Sequence, residues 1–501
     1  MELVFQEYEL TGLERICSQS FIGEQTADVI IPDSYPDVER IVDAFGTVLV
    51  EDAQCLPGGV SITGTVQGGV VFLGENEEPR TLSVRIPFTL RKELQIDGED
   101  NILSYRCELR SVDARAVNSR KLLVRVGLRW GFELYRPGIW KIRSLDEPSE
   151  QLQLKQTEYP LRIPTATGEK RFTVNEELEL STGVPPIASV MKSCCQMGIR
   201  EQKAVGGKGV FKMELLLHIL YEDPKGKLCT YEWRIPISQY ADLSSDVQEG
   251  DLHTVLHMTE FDLEPDSQLE SHRLFLRVGI HSRSIAYETR KVQLIEDAYC
   301  TDAVLEPQWQ QWQCSPLLDS RILHGTAQWS GNEPLGTLVD LWVSAEEAVK
   351  ERKGDTLKIS APIVCTMLYY DGEGKLQSKQ LRSAMDMELP LHEDGECVLR
   401  DIFSTEVYCN TSAGTSEIRV PLQLTVDTFG LQNFRSLKGG TLTELPMSKE
   451  RRPSVILRRT EGEEDLWDIA KHYRTPVEAI REANDLTEDP IPHGTMLLIP
   501  L

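Results

Sequence analysis

One local pattern recurs along this 501-residue chain and governs what it can fold into. Leu220-Tyr221-Glu222-Asp223-Pro224-Lys225-Gly226-Lys227-Leu228 aligns without a gap on Leu368-Tyr369-Tyr370-Asp371-Gly372-Glu373-Gly374-Lys375-Leu376, 148 positions further on. In both, an apolar run enters an Asp/Gly turn and leaves as a second strand. Asp and Gly tolerate turn dihedrals, so each is read as a β-hairpin. A weaker copy has its turn at Gly74 to Pro79, and its exit strand Val84-Arg85-Ile86-Pro87-Phe88 matches Trp233-Arg234-Ile235-Pro236-Ile237. A second marker also recurs, as Leu122-Leu123-Val124-Arg125-Val126-Gly127, Leu274-Phe275-Leu276-Arg277-Val278-Gly279 and, degenerate, Ile418-Arg419-Val420-Pro421-Leu422. The period far exceeds that of solenoid repeats, so each copy is a domain and not a stacking motif.

Each copy reads as mainly β. Val60 to Val66, Arg85 to Phe88 and Lys121 to Leu128 alternate apolar with polar or small residues, which gives strands one core face and one solvent face. Many such strands between Gly, Pro and Asp turns imply sandwich or barrel-like units. The expected organisation is three tandem β-sandwich-like domains at 1–150, 165–300 and 318–440, a linker at 441–454 and a small βααβ module at 455–501. A short helix is expected to open at Pro36, with Val38, Ile41 and Val42 inward. Segments 137–170 and 300–330 are expected to be connections with extra strands, with Trp309 and Trp312 as packing anchors.

The last 47 residues change character. Val455 to Arg459 reads as a strand. Asp465 is placed to cap a helix in which Leu466, Ile469, Ala470 and Tyr473 form one apolar stripe. Thr475 is expected to cap a second helix with Pro476 first in it, and a strand at Met496 to Pro500 closes the module. This order resembles a LysM domain. The likeness is carried by Asp465-Leu466-Trp467-Asp468-Ile469-Ala470-Lys471-His472-Tyr473, by the helix through Ile480 to Asn484, and by the ending around Gly494 to Pro500. The resemblance implies a GlcNAc-containing glycan as ligand, in a groove between Gly462 to Leu466 (Gly462, Glu463, Glu464, Asp465, Leu466) and Asp489 to His493 (Asp489, Pro490, Ile491, Pro492, His493). It implies a core of Trp467, Ile469, Ala470, Tyr473, Ile480 and Asn484. One departure is that Glu463-Glu464-Asp465-Leu466 stands where the family has Gly-Asp-Thr/Ser-Leu. The module carries 5 basic and 10 acidic side chains, which suits a protein partner as readily as a neutral sugar.

The whole arrangement resembles the family of spore coat morphogenesis proteins with repeated SPOCS domains and a terminal LysM domain, found in spore-forming Firmicutes. Its clearest signature is Ala27 to Ile41, with Ile31, Pro32, Asp33, Pro36 and Asp37; the second copy keeps only Val184-Pro185-Pro186-Ile187. The resemblance implies a non-enzymatic adaptor of the mother-cell cytosol. It would bind a SpoIVA-like coat ATPase through the LysM domain at the forespore surface. The alternative is a peptidoglycan-binding protein of the cell wall or spore cortex.

Composition narrows the remaining classes. With 53 Lys and Arg against 79 Asp and Glu, the net charge is −26, which opposes nonspecific nucleic-acid binding. Glu2, Glu7 and Glu9 stand where a signal peptide is basic, and no run approaches a membrane span, so a soluble intracellular chain without membrane insertion is expected. The 11 cysteines include no C-x-x-C pair, so reduced thiols are expected. No cofactor, metal site or enzyme is expected. Gly207-Lys208-Gly209 and Gly374-Lys375-Leu376 lack the rest of a phosphate-binding loop. Thr254 stands where a zinc protease would have Glu, so His253 and His257 read as ordinary strand or surface residues. Asp28, Asp33, Asp37 and Glu39 read as turn chemistry.

Overall fold

A computed structural model describes residues 5–75, 77–95, 100–144, 151–266, 271–331, 336–346, 348–390, 395–404, 407–412, 415–444, 454–461, 463–487 and 490–501. The first unit consists of β1 (Gln6–Ile30), β2 (Arg40–Leu56), β3 (Gly59–Leu73), β4 (Pro79–Glu93), β5 (Ile102–Asn118) and β6 (Lys121–Ser144). Its antiparallel sheets, β1-β6-β5 and β2-β3-β4, face each other as a sandwich. The alternating stripes close on one core. Ile62, Val66, Val70 and Phe72 come from β3, and Leu122, Val124, Val126 and Leu128 from β6.

The second unit repeats this order with β7 (Leu152–Glu179), β8 (Ser189–Val205), β9 (Lys208–Glu222), β10 (Leu228–Asp242), β11 (Glu249–Pro265) and β12 (Arg273–Cys300). Its halves join at one corner, where β11 pairs β8 at Gly250 and Ala204. In the third unit four of the six strands are split. β13 (Ala303–Cys314) and β14 (Leu317–Gly331) replace the first strand, and β15 (Thr337–Ala345) and β16 (Val349–Lys353) the second. β17 (Thr356–Tyr370) and β18 (Leu376–Pro390) form the hairpin. β19 (Glu396–Ser404), β20 (Tyr408–Ser412), β21 (Thr415–Phe429) and β22 (Gln432–Glu444) complete the set. The hairpin turns work as their sequence implies. Asp223 accepts from the amides of Lys225 and Lys227, Asp371 from those of Glu373 and Lys375, and Gly226 and Gly374 take the positive φ.

The chain is thus mainly β, but several boundaries differ from expectation. No helix forms at Pro36. Residues 31–39 are an irregular loop, because tertiary partners claim its backbone. Val38 N–H donates to Ser119 O and Glu39 N–H to Leu73 O, while the Arg120 guanidinium donates to Tyr35 O at 2.8 Å and pairs with Asp37. The strands expected within 137–170 and 300–330 are present, but in the described residues they are long continuations, β6, β7, β13 and β14, rather than additions to connecting segments. These extensions pack together through Ile142, Leu161, Leu294 and Phe434, with Trp312 stacked on Phe434 at 4.5 Å. Residues 441–444 belong to β22 rather than to a linker, and 445–453 lie outside the described residues.

The three units pack so that equivalent positions meet. Val42, Met191 and Val339, together with Val71, Leu220 and Leu368, form one shared cluster. Tyr135, Tyr287 and Phe429 meet in another. Next to Val42, Met191 and Val339 stand Asp43, Lys192 and Asp340, each just after a register shift in its strand. Lys192 Nζ donates to Asp43 Oδ2 at 2.7 Å and to Asp340 Oδ2 at 3.1 Å, and the three side chains are 1%, 6% and 0% exposed. His218 Nε2 bonds Asp340 Oδ1 at 2.6 Å. Burial opposes the Lys192 charge, but the pull of Asp340 and Asp43 outweighs it and holds the ammonium above the usual lysine range. Asp340 is held low against its own burial, first by Lys192 and then by His218.

Candidate functional site

The C-terminal module consists of β23 (Val455–Arg459), α1 (Leu466–Tyr473), α2 (Val477–Ala483) and β24 (Met496–Pro500). β23 and β24 pair antiparallel, and among the described residues these two helices are the only ones. Leu466, Ile469, Ala470, Ile480, Ile491, Leu497 and Ile499 form the core, with Tyr473 packed at its margin. Asp465 caps α1 as expected from its short carboxylate, accepting from the Trp467 amide at 2.7 Å. Thr475 does not cap α2. Pro476 occupies the cap position without a side-chain bond, and Thr475 is buried. Asn484 ties α2 to β24. Its Nδ2 donates to Ile480 O and Leu498 O, both at 2.7 Å, and its Oδ1 accepts from Leu498 N at 2.6 Å.

The two loops assigned to ligand contact lie side by side. Glu464 and Ile491 exchange backbone hydrogen bonds at 3.2 and 2.8 Å. Thr460 Oγ1 donates to Pro492 O at 2.7 Å. The Glu464 carboxylate is taken by Arg458 at 2.6 Å and by the Glu461 amide at 2.8 Å. Glu463, Pro490, Pro492 and His493 are exposed along this edge. Leu466 and Ile491, read from sequence as contact residues, are fully buried core; the first-turn stripe and the inter-loop ladder draw them inward. Gly462 and Asp489 lie outside the described residues. Of the signature residues near the N-terminus, Ile31 is buried, Pro36 and Asp37 are half-buried, and Pro32 and Asp33 are exposed.

Sequence reasoning missed how the module is held. Its α1 face docks on the far end of β7 and β12. Trp467 Nε1 donates to Asp297 Oδ2 at 2.8 Å, and Lys471 Nζ reaches both oxygens of the same carboxylate at 2.7 and 2.6 Å. Tyr299 packs edge-on against Trp467 at 4.9 Å and donates to Thr475 O at 2.7 Å. Lys155 pairs with Asp465 at 2.8 Å. Burial raises the Asp297 carboxyl, but Lys471 and the indole N–H more than reverse this and hold it low. Trp467 is therefore both core and joint, at 8% exposure. No local pattern marks Asp297 or Tyr299, which are about 170 positions from their partners.

Residues 462–500 match the family model described as LysM domain. The module is a LysM domain. Neither the curated proteins nor the solved structures give a match to this chain. The LysM edge presents Glu463 and Glu461 beside two prolines and a histidine, all exposed.

The other candidates resolve as structure. His253 and His257 lie buried on β11 against the first unit, and His257 stacks on Tyr105 at 3.9 Å. Burial and neighbouring charges keep both well below the usual histidine range. Asp28 pairs with Lys121. All 11 cysteines are free, and burial pushes the Cys194 thiol up to about 12. Among the described residues no His, Cys, Asp and Glu group is arranged to hold a metal, and no helix is long and apolar enough to cross a membrane.

Proposed function

We propose that this protein is a non-enzymatic adaptor of the spore envelope, similar to SipL-like coat proteins with repeated SPOCS domains. Its LysM domain would be the recognition module, and its partner a SpoIVA-like coat ATPase at the forespore surface in the mother-cell cytosol. The reading is carried by one observation. The LysM domain is fixed to the body through α1, by Asp297, Tyr299 and Lys155, and this leaves the edge containing Glu461, Glu463, Pro490, Pro492 and His493 outward. A fixed, charged edge on a large fused scaffold suits holding one partner in a set orientation, because little loop entropy is lost on binding. The three sandwiches would then act as spacer and further binding surface.

A second reading is favoured by the LysM match itself. The edge would bind a GlcNAc-containing glycan such as peptidoglycan, and the protein would belong to the cell wall or cortex. Carboxylates on the edge oppose polyanionic wall polymers but not neutral sugars. Parallel capture of the full chain on insoluble peptidoglycan and on an immobilised SpoIVA-like protein separates the two. The adaptor reading expects saturable capture by the protein, weakened by Glu463→Lys. Saturable capture by the glycan alone overturns it.

A further inference from the structure

The three units meet along three seams, and rings pack across two of these. Between the first and second units Tyr105 stacks on His257 at 3.9 Å. Between the second and third, Phe403 lies so close over Gly198 that a Cβ there would come within 2.5 Å of the ring. A cavity of about 260 Å³ also reaches Gly198, His257 and Phe403 where all three units meet, and the seam between the first and third units is set apart by its charged lining. It encloses a cavity of about 310 Å³, within the range of small-ligand sites. Its apolar wall includes Trp130, Phe132, Val398 and Ile402.

Its polar wall is cationic in an anionic chain. Arg106, Arg129, Lys350 and Arg400 line it against Glu108, Glu133 and Glu396. Each carboxylate is already matched: Glu108 by Arg129, Glu133 by Arg400, and Glu396 by Arg15. Among the described residues Lys350 Nζ donates only to the carbonyl of Cys397, at 2.7 Å. Arg106 bonds the neutral Leu399 carbonyl at 2.9 Å and faces the His253 ring. Arg400 is 4% exposed. Its Nη1 holds Glu133 and its Nε holds Asp427, while its Nη2 is buried without a hydrogen-bond partner. Glu133 Oε1 also lacks a hydrogen bond, but it stands 3.6 Å from Arg15 Nη1, so its charge is covered.

We propose that this seam cavity is a binding site for a small amphipathic carboxylate. The anionic end would face Arg106 and Lys350, and the apolar body would lie against Trp130 and Ile402. Arg106 and Lys350 bond only neutral groups among the described residues, and two such cations beside an apolar wall are matched in charge and shape by an amphipathic carboxylate. The site is remote from the LysM edge and independent of how that edge functions.

Titration calorimetry of the full chain with benzoate tests this, with benzamide and benzamidine as isosteric neutral and cationic probes. The expected result is one benzoate per chain, with both isosteres at least about tenfold weaker, the discrimination expected of a charge-assisted bond. Lys350→Gln, at an exposed side chain, should weaken benzoate several-fold while leaving the melting temperature in place. Ala348→Trp should fill the cavity and abolish binding, with far-UV circular dichroism showing that it folds; if it does not, Lys350→Gln decides. Glu463→Lys on the LysM edge should leave benzoate binding unchanged. No benzoate heat up to millimolar concentrations means that the cavity holds only water, and overturns the proposal. Equal binding of benzamidine, or unaltered binding by Lys350→Gln, does the same.

Discussion

Replacing Lys192 by Met tests whether the three units are held in register by charge. Met retains the length and apolar stem of Lys but deletes the ammonium. Asp43 then loses a 2.7 Å bond and Asp340 a 3.1 Å bond. Neither carboxylate can turn to water, at 6% and 0% exposure. Asp340 keeps His218, but Asp43 keeps no cation at that distance. Breaking a buried pair from one side typically costs about 3–5 kcal/mol, because the residual charge is left in low dielectric. Against a typical domain stability of roughly 5–15 kcal/mol, that loosens the whole body. Urea unfolding of the β body should shift by about that amount, and hydrogen exchange should rise first in β2, β8 and β15. Several transitions are expected in a chain of this size, so exchange resolved along the sequence is the cleaner readout. Adding Asp43→Leu and Asp340→Asn to Lys192→Met should recover most of the loss, since an apolar replacement of a buried ionic group is often neutral. A cost under about 1 kcal/mol for the single variant, or no recovery in the triple, would refute the reasoning.

Three further outcomes follow from the same contacts. Burial opposes the His218 charge, but hydrogen bonds to Asp340 and Glu232 raise it to about 9, above its unfolded value of about 6.5. Its stabilisation is therefore complete below about pH 6.5 and is lost as pH rises toward 9, by at most ~3 kcal/mol at 1.36 kcal/mol per unit; urea titrations at pH 6 and 9 should show it, and His218→Gln should flatten the difference. Asp297→Ala should free the LysM domain from β12 without unfolding it, raising exchange at 466–471 and red-shifting Trp467 emission, whereas Trp467→Ala removes core as well and should unfold the module at a cost of about 3–5 kcal/mol. Asn484→Ala should cost the module about 1–3 kcal/mol, since Leu498 N–H and two carbonyls lose their partner, and a thermal melt of the module checks it.

The fold was most legible where side-chain periodicity alone dictates packing. The stripe around Ile62, the one around Val124 and its recurrences at Leu276 and Ile418 are legible as strands of packed sheets, because alternation leaves only one face to bury. The LysM helices were legible for the same reason at the other period. Legibility failed where a distant group overrides local preference. Pro36 begins no helix because Arg120 and Ser119 capture the loop. Leu466 and Ile491 sit in the binding loops by sequence but in the core by packing. The Asp297 joint and the Arg400 seam combine residues 170 or more positions apart, and no single stretch carries a sign of either.

The alternation of Asp43, Lys192 and Asp340 also bears on ancestry. The most economical precursor of a threefold repeat is a homotrimer of one unit, closed about a rotation axis. Three copies of the first unit would now bring three carboxylates together in a dry interior, and three copies of the second would bring three ammoniums. Neither assembly could close without protonation changes or bound counter-ions. Only the mixed order carboxylate, ammonium, carboxylate, with His218 beside it, can be sealed. With Lys in the middle copy, the units are not interchangeable. A fragment holding any one of them should fail to trimerise with itself, and stoichiometry became a property of the gene rather than of concentration.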